Sequence, residues 1–94
     1  MKADTGELKE WVLRSKRGDL SAFEELVRLH QPMVRQLAYR FSGNAADAAD
    51  LAQEAFVRAW QNIGTQREDA PFGAWLRRVT VNVCLQWRRD RRDG

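Results

Sequence analysis

The sequence predicts an all-α fold: a small helical bundle of three long helices plus a short N-terminal helix. Three observations predict it. Apolar residues recur at three- and four-residue intervals along most of the 94 residues. Only two prolines and six glycines punctuate the chain. The one alternating stretch, Val79 to Trp87, has no second strand to pair with. The length suits one domain, residues 1–94, with one modest core.

The first helix is expected over about residues 5 to 17, with Leu8, Trp11 and Val12 as its apolar side and Gly18 as its stop. The second begins near Asp19 to Ser21, where Ser21 and Glu24 fit a capping box. Phe23, Leu26, Val27, Met33, Val34, Leu37, Ala38 and Phe41 then recur at helical spacing. Pro32 interrupts that run, which predicts a kink or a split. Gly43 ends it, and Asn44 can cap a third helix over about 45 to 62. At about 100° per residue, Ala48, Leu51, Ala52, Ala55, Phe56, Ala59 and Ile63 share one side of that helix. Its small alanines let a neighbouring helix approach closely. A polar loop, GTQREDA, follows at 64 to 70. Pro71 suits the first turn of a fourth helix, which runs to about Arg91.

The fourth helix contains LRRVTVNVCLQWRRDRR, residues 76 to 92, and two periods overlap there. The alternating pattern covers nine residues. The helical stripe of Phe72, Trp75, Leu76, Val79, Val83 and Trp87 covers sixteen. The β-branched residues oppose a helix by roughly one kcal/mol in total. Burying a Phe, two Trp and three aliphatic side chains outweighs that several-fold. Trp75 and Trp87 are therefore read as core residues.

Two outward faces remain unexplained by folding. On the third helix, Asp50, Gln53, Glu54, Val57, Trp60 and Gln61 lie opposite the core stripe. An aromatic and an aliphatic with a polar rim suit an interface; equally, Trp60 could merely cover a neighbouring loop. On the fourth helix all six arginines, 77, 78, 88, 89, 91 and 92, lie off the core. Its outward face reads Arg78, Val81, Asn82, Leu85, Arg88, Arg89, Arg92, with Val81 and Leu85 expected to be solvent-exposed. Residues 1–72 carry ten Lys/Arg against eleven Asp/Glu, whereas 73–94 carry six Arg against two Asp. Arginine pairs with phosphate, and an asparagine offers both a donor and an acceptor to a base edge. The pattern points to nucleic acid without deciding between duplex and single strand. A solvated helix end is the plainer reading of the charge alone.

The lone Cys84 allows no internal disulfide and reads as a packed thiol. The N-terminus has no apolar signal segment, and no apolar run approaches membrane-spanning length. A cytoplasmic soluble protein without membrane contact is expected. A single His30, no Glu-x-x-His pair and no glycine-rich phosphate loop argue against an enzyme, a metal site or a cofactor.

DLAQEAFVRAW at 50–60, the run from Arg67 through APFGAWLRRVTVN to Asn82, and the terminal RRDRR resemble region 2 of the extracytoplasmic-function (group IV) sigma factors of bacterial RNA polymerase. AFEELVRLHQPMVRQLAYRFSG, residues 22–43, looks like the start of that domain. The resemblance implies that the third helix docks on the clamp helices of the polymerase β′ subunit through Asp50, Gln53, Glu54, Val57 and Trp60. It implies that the next helix and the loop before it engage the −10 promoter element on the non-template strand. Asn82 stands at the position of the family's base-contacting asparagine, and Arg67, Glu68, Ala70 and Phe72 are the candidates for the loop that holds a flipped-out base. Arg77, Arg78, Val81, Leu85, Arg88, Arg89 and Arg92 complete the DNA-facing set. An anti-sigma factor is a further expected partner. Gln66 stands where many members have an aromatic, and the family's second domain, which reads the −35 element, has no counterpart in these residues. Two rival readings remain: a free-standing helical module that reads duplex DNA, and a module that binds only protein.

Overall fold

The computed structural model describes residues 5–93, in four α-helices and one short 3-10 turn. Helix α1 spans Thr5–Lys16, α2 Leu20–Ser42, α3 Ala45–Gln61 and α4 Phe72–Asp93, with the 3-10 turn at Ile63–Thr65. The expected all-α bundle is what forms. Helix α2 is its hub and packs against α1, α3 and α4; α3 also packs against α4.

The stops lie where glycine allows a left-handed turn. Gly18 has φ +92°, and its N–H donates to Ser15 O while the Asp19 N–H reaches back to Arg14 O, a Schellman closure of α1. Gly43 has φ +76° and donates to Tyr39 O at 2.8 Å, which closes α2. Asn44 caps α3 as expected, its Oδ1 accepting from Asp47 N at 2.8 Å.

The start of α2 differs from the sequence reading. Asp19, not Ser21, is the cap: its Oδ1 accepts from Ser21 N at 3.1 Å and Ala22 N at 3.3 Å. Ser21 instead donates its hydroxyl to Asp19 Oδ1 at 2.7 Å. A charged acceptor two residues earlier meets the orphan amides better than a hydroxyl inside the first turn. The same carboxylate pairs with Arg14 at 2.7 Å, tying α1 to α2. Pro32 neither splits nor ends α2, which is continuous through it. Pro32 and Arg28 are both on the exposed side, so water can serve the Arg28 carbonyl that the proline cannot.

The Ser21 hydroxyl, then Arg14 and the Ala22 amide, hold the Asp19 carboxyl down from its usual 3.8 to about 2. A depressed folded pKa means the cap contributes fully above the ordinary carboxylate range and is lost as pH falls toward about 2. Asp19→Asn, which keeps a cap acceptor, is expected to lose stability less steeply over that acid interval than the parent. Melting curves at stepped pH check this, and parallel acid profiles would contradict it.

The core is one cluster. Val12 of α1, Phe23, Leu26, Val34 and Ala38 of α2, Leu51, Ala52, Ala55 and Ala59 of α3, and Phe72, Leu76, Val83 and Cys84 of α4 are all buried in it. Ala55 and Ala59 are wholly covered, as expected of a helix that packs close on small residues. In α4 the fully buried centre is Leu76, Thr80 and Cys84, a spacing of four. Trp75, Val79 and Trp87 only flank it, half-buried. The expected stripe includes the buried Phe72, Leu76 and Val83 but leaves out Thr80, because a threonine does not read as core. The Thr80 hydroxyl removes the difficulty by donating to Leu76 O at 2.8 Å. Burial raises the Cys84 thiol pKa, which suits a packed and unreactive thiol.

Candidate nucleic-acid interface and partner surface

Helix α4 positions the basic face. Its 22 residues make a rod of about 33 Å. The buried spacing of four turns the opposite side to solvent, and there Arg77, Arg78, Asn82, Leu85, Arg88, Arg89 and Arg92 are exposed. Leu85 is 41 % exposed, as expected. Val81 is not; it is half-buried. A valine is short, and the longer Arg77, Arg78 and Leu85 one turn away can cover it.

The six arginines are not equivalent. Arg88 lies over the Phe41 ring of α2 at 4.6 Å, and Arg91 lies over Trp87 at 4.8 Å while reaching Asp47 of α3 at 3.6 Å. Those two guanidinium groups fasten α4 to the body through cation–π and ionic contacts. Arg88 is exposed as expected, and it also rests on Phe41. Among the described side chains, Arg77, Arg78, Asn82, Arg89 and Arg92 have no ion pair or side-chain hydrogen bond, and they remain available to a ligand.

The loop before α4 is short and internally tied. Ala70 N donates to Arg67 O at 3.1 Å, closing a turn with Glu68 and Asp69 at its tip. Arg67 pairs in two places with Asp69, at 2.8 and 3.1 Å, on the surface. Glu68 and Ala70 are exposed. Phe72 is not: at 4 % exposure it packs against the His30 and Trp75 rings, 5.2 and 5.6 Å between centroids. Phe72 therefore supports the loop from below and offers no ring face to a ligand. Its place in the core stripe outweighs its nearness to the loop.

Beneath this turn lies Gln66, 3 % exposed. Its Nε2 donates to Arg67 O at 2.6 Å and to Ala70 O at 2.9 Å. Its backbone carbonyl accepts from Lys16 Nζ of α1. Its Oε1 has no hydrogen-bond partner among the described residues, an arrangement that costs on the order of 1–3 kcal/mol. Turning the amide over would set Oε1 against two carbonyl oxygens, so this orientation is the better one. A cleft of about 530 Å³ separates the loop from α1, lined by Leu8, Val12, Gln66, Pro71 and Phe72 among others.

The α3 face is acidic. Asp50, Gln53, Glu54 and Val57 are all exposed, Val57 to 47 %. Glu54 pairs with Arg58 at 3.2 Å, and Arg58 also donates to Gln86 of α4 at 3.2 Å. Asp50 and Glu54 rim a groove whose far wall is Gln86, Trp87 and Asp90 of α4. Trp60 lies at the edge of this face. It is half-buried, its ring 5.0 Å from Phe23 of α2, where it closes the edge of the core. The sequence left open whether Trp60 covers a neighbour, and it does, though the neighbour is a helix. The described residues hold no cluster of three or more His, Cys, Asp or Glu suited to a metal, and no helix among them is long and apolar enough to cross a membrane.

Sequence reasoning overlooked Lys16 and Asp47, and it placed Phe41 in the core run without its contact to Arg88; each serves a functional element from a distance. Lys16 and Gln66 are fifty residues apart, and no local pattern marks such a pair.

Residues 26–93 match the family described as Sigma-70 region 2. The chain is 37 % identical over 78 residues to the ECF RNA polymerase sigma factor SigW of Bacillus subtilis, covering 83 % of this chain and 42 % of that protein. It is 38 % identical over 76 residues to the ECF RNA polymerase sigma-E factor of Escherichia coli, covering 81 % of this chain and 39 % of that one. The chain thus spans about two fifths of these relatives' length. Among solved structures, an engineered region 2 of sigmaE in complex with GTAAAA superposes with TM-score 0.80 at 31 % identity, over 85 % of this chain and 83 % of that one. CnrH in complex with the cytosolic domain of CnrY superposes with TM-score 0.77 at 30 % identity, over 85 % and 52 %.

Proposed function

Because the chain belongs to the Sigma-70 region 2 family, we propose that it is the promoter-engaging domain of a sigma factor, docking on the β′ clamp helices of RNA polymerase through α3 and reading the non-template strand of the −10 element through α4 and its preceding loop. The observation that carries the reading is Asn82, exposed in the middle of α4 among arginines with no partner of their own. Asn82 lies about 15 Å along the helix from its start at Phe72, so Asn82 and the loop would meet different nucleotides of one strand. Arg77, Arg78 and Arg89 would meet phosphates and fix register, and Asn82 would meet a base edge.

Such a domain needs no catalytic group. Holding an unpaired base more tightly than the duplex holds it shifts the equilibrium toward the open strand. Each captured base contributes on the order of 1–3 kcal/mol, comparable to the cost of unstacking one pair. Opening several pairs therefore requires a larger body to hold the strands apart, which suits a domain that acts within the polymerase and so in the cytoplasm. The solved relative in complex with GTAAAA supports the choice of a short nucleic-acid sequence as ligand. An anti-sigma factor fits the same frame, because a relative of this fold is solved with a protein partner, the cytosolic domain of CnrY. A partner of that kind that covers α3 would compete with the clamp helices.

The test is binding of this chain to short single-stranded DNAs of varied −10 sequence, with duplexes of the same sequence alongside. Selective single-strand binding is expected. Asn82→Ala is expected to lose about 1–3 kcal/mol at one base position and little elsewhere. Uniform weakening across all bases would remove Asn82 as a reader. Tight duplex binding with a steep salt dependence would replace the whole reading with that of a duplex-binding module.

A further inference from the structure

The loop between the 3-10 turn and α4 has little to hold it in shape. Its ion pair, Arg67 with Asp69, is exposed on both sides, and such pairs contribute little. One backbone hydrogen bond, Ala70 N to Arg67 O, closes the turn. Among the described residues, the other hydrogen bonds to the turn come from one buried side chain. Gln66 spends both Nε2 hydrogens on the two ends of the turn, Arg67 O and Ala70 O. Its own backbone is fixed at both groups: the N–H donates to Ile63 O at 3.1 Å and the carbonyl accepts from Lys16 of α1. An amide so anchored is a rigid strut under a turn made of exposed residues.

We propose that Gln66 is a positioning residue: its side-chain amide clamps the Arg67–Ala70 turn from beneath and presets the shape the loop offers to a single-stranded base. The part of this that concerns DNA rests on the function proposed above; the clamp itself does not. The loop is then ordered before the ligand arrives, so binding there does not bear the entropy of ordering it. The unpartnered Oε1 is consistent with selection for the two donors alone.

Gln66→Glu is the discriminating variant, because it keeps the shape and replaces the donors with acceptors that face two carbonyls. With that carboxyl ionised, exchange protection of the Ala70 amide, which closes the turn on Arg67 O, is expected to fall about tenfold, with the helices unchanged by circular dichroism. As pH is lowered the new carboxyl takes up a proton, above the usual carboxylate range because burial and the two facing carbonyls disfavour its charge; one O–H donor then returns and protection should partly recover. Gln66→Ala should lose protection and show no such recovery. In oligonucleotide binding, both variants should weaken contact at the base nearest the loop by about tenfold and leave positions read by Asn82 unaltered. Retained Ala70 protection in Gln66→Ala, whose side chain offers no donor at any pH, would overturn the clamp. A loosened loop with an unaltered base profile would overturn the positioning role and leave Gln66 a stability residue. Failure of the parent chain to bind any oligonucleotide would refute the DNA reading instead, and the exchange measurement would still decide the clamp.

Discussion

Asp50→Ala combined with Gln53→Ala is expected to weaken binding to a β′ clamp-helix coiled coil by at least about tenfold, or 1.4 kcal/mol, while thermal stability stays within about 0.5 kcal/mol of the parent. Both side chains are exposed and, among the described residues, neither is engaged in an ion pair or hydrogen bond, so folding does not use them. Alanine also suits a helix interior at least as well as either residue. Glu54 is a poorer choice for this test. It is paired with Arg58, which bridges to Gln86, so its removal would disturb the α3–α4 junction as well as the face. Titration of the double variant against a labelled clamp-helix peptide reads the effect. Unchanged affinity would mean that α3 is not the docking face.

Leu76→Ala should produce the largest loss of stability, about 2–5 kcal/mol. Leu76 is 1 % exposed and lines one interior site together with Phe23, Leu26, Val27, Phe56 and Phe72, so the space it vacates is walled by three helices. Aromatic walls cannot collapse far into that space without leaving their own contacts, which places the cost in the upper part of the range. For a chain of this size that is a large share of the 5–15 kcal/mol that typically separates folded from unfolded. Urea unfolding with an unchanged m-value would confirm a pure stability effect. A loss below about 1 kcal/mol would mean that the site repacks.

What was legible in the sequence was what repeats. Helix existence and type followed from the apolar spacing, and the stops at Gly18 and Gly43 followed from the one residue that tolerates positive φ. The cap at Asn44 was legible for the same local reason. Errors arose where the answer depends on a neighbour far along the chain. Trp60 looked surplus on the α3 wheel because the wheel does not contain Phe23 of α2. That Arg88, exposed as expected, also rests on Phe41 is announced by nothing near it in the sequence. Thr80 was passed over because its hydroxyl reads as polar until the Leu76 carbonyl is seen to take it. The loop was the least legible part. Gln66 stood out only as a departure from an expected aromatic, and that it carries the turn depends on backbone carbonyls that no pattern of side chains records.

The spacing of α4 separates two kinds of change. Leu76, Thr80, Val83 and Cys84 are buried, while Arg77, Arg78, Asn82, Leu85 and Arg89, interleaved with them, are exposed. A substitution on the first set is felt by the whole bundle, whereas one on the second leaves the bundle almost untouched. On the proposed reading, promoter preference can therefore diverge between duplicated copies of such a gene without a loss of foldability holding it back. For the engineer, the same interleaving makes α4 a reading head whose outer letters can be randomised together in one library, provided that the inner ones are kept.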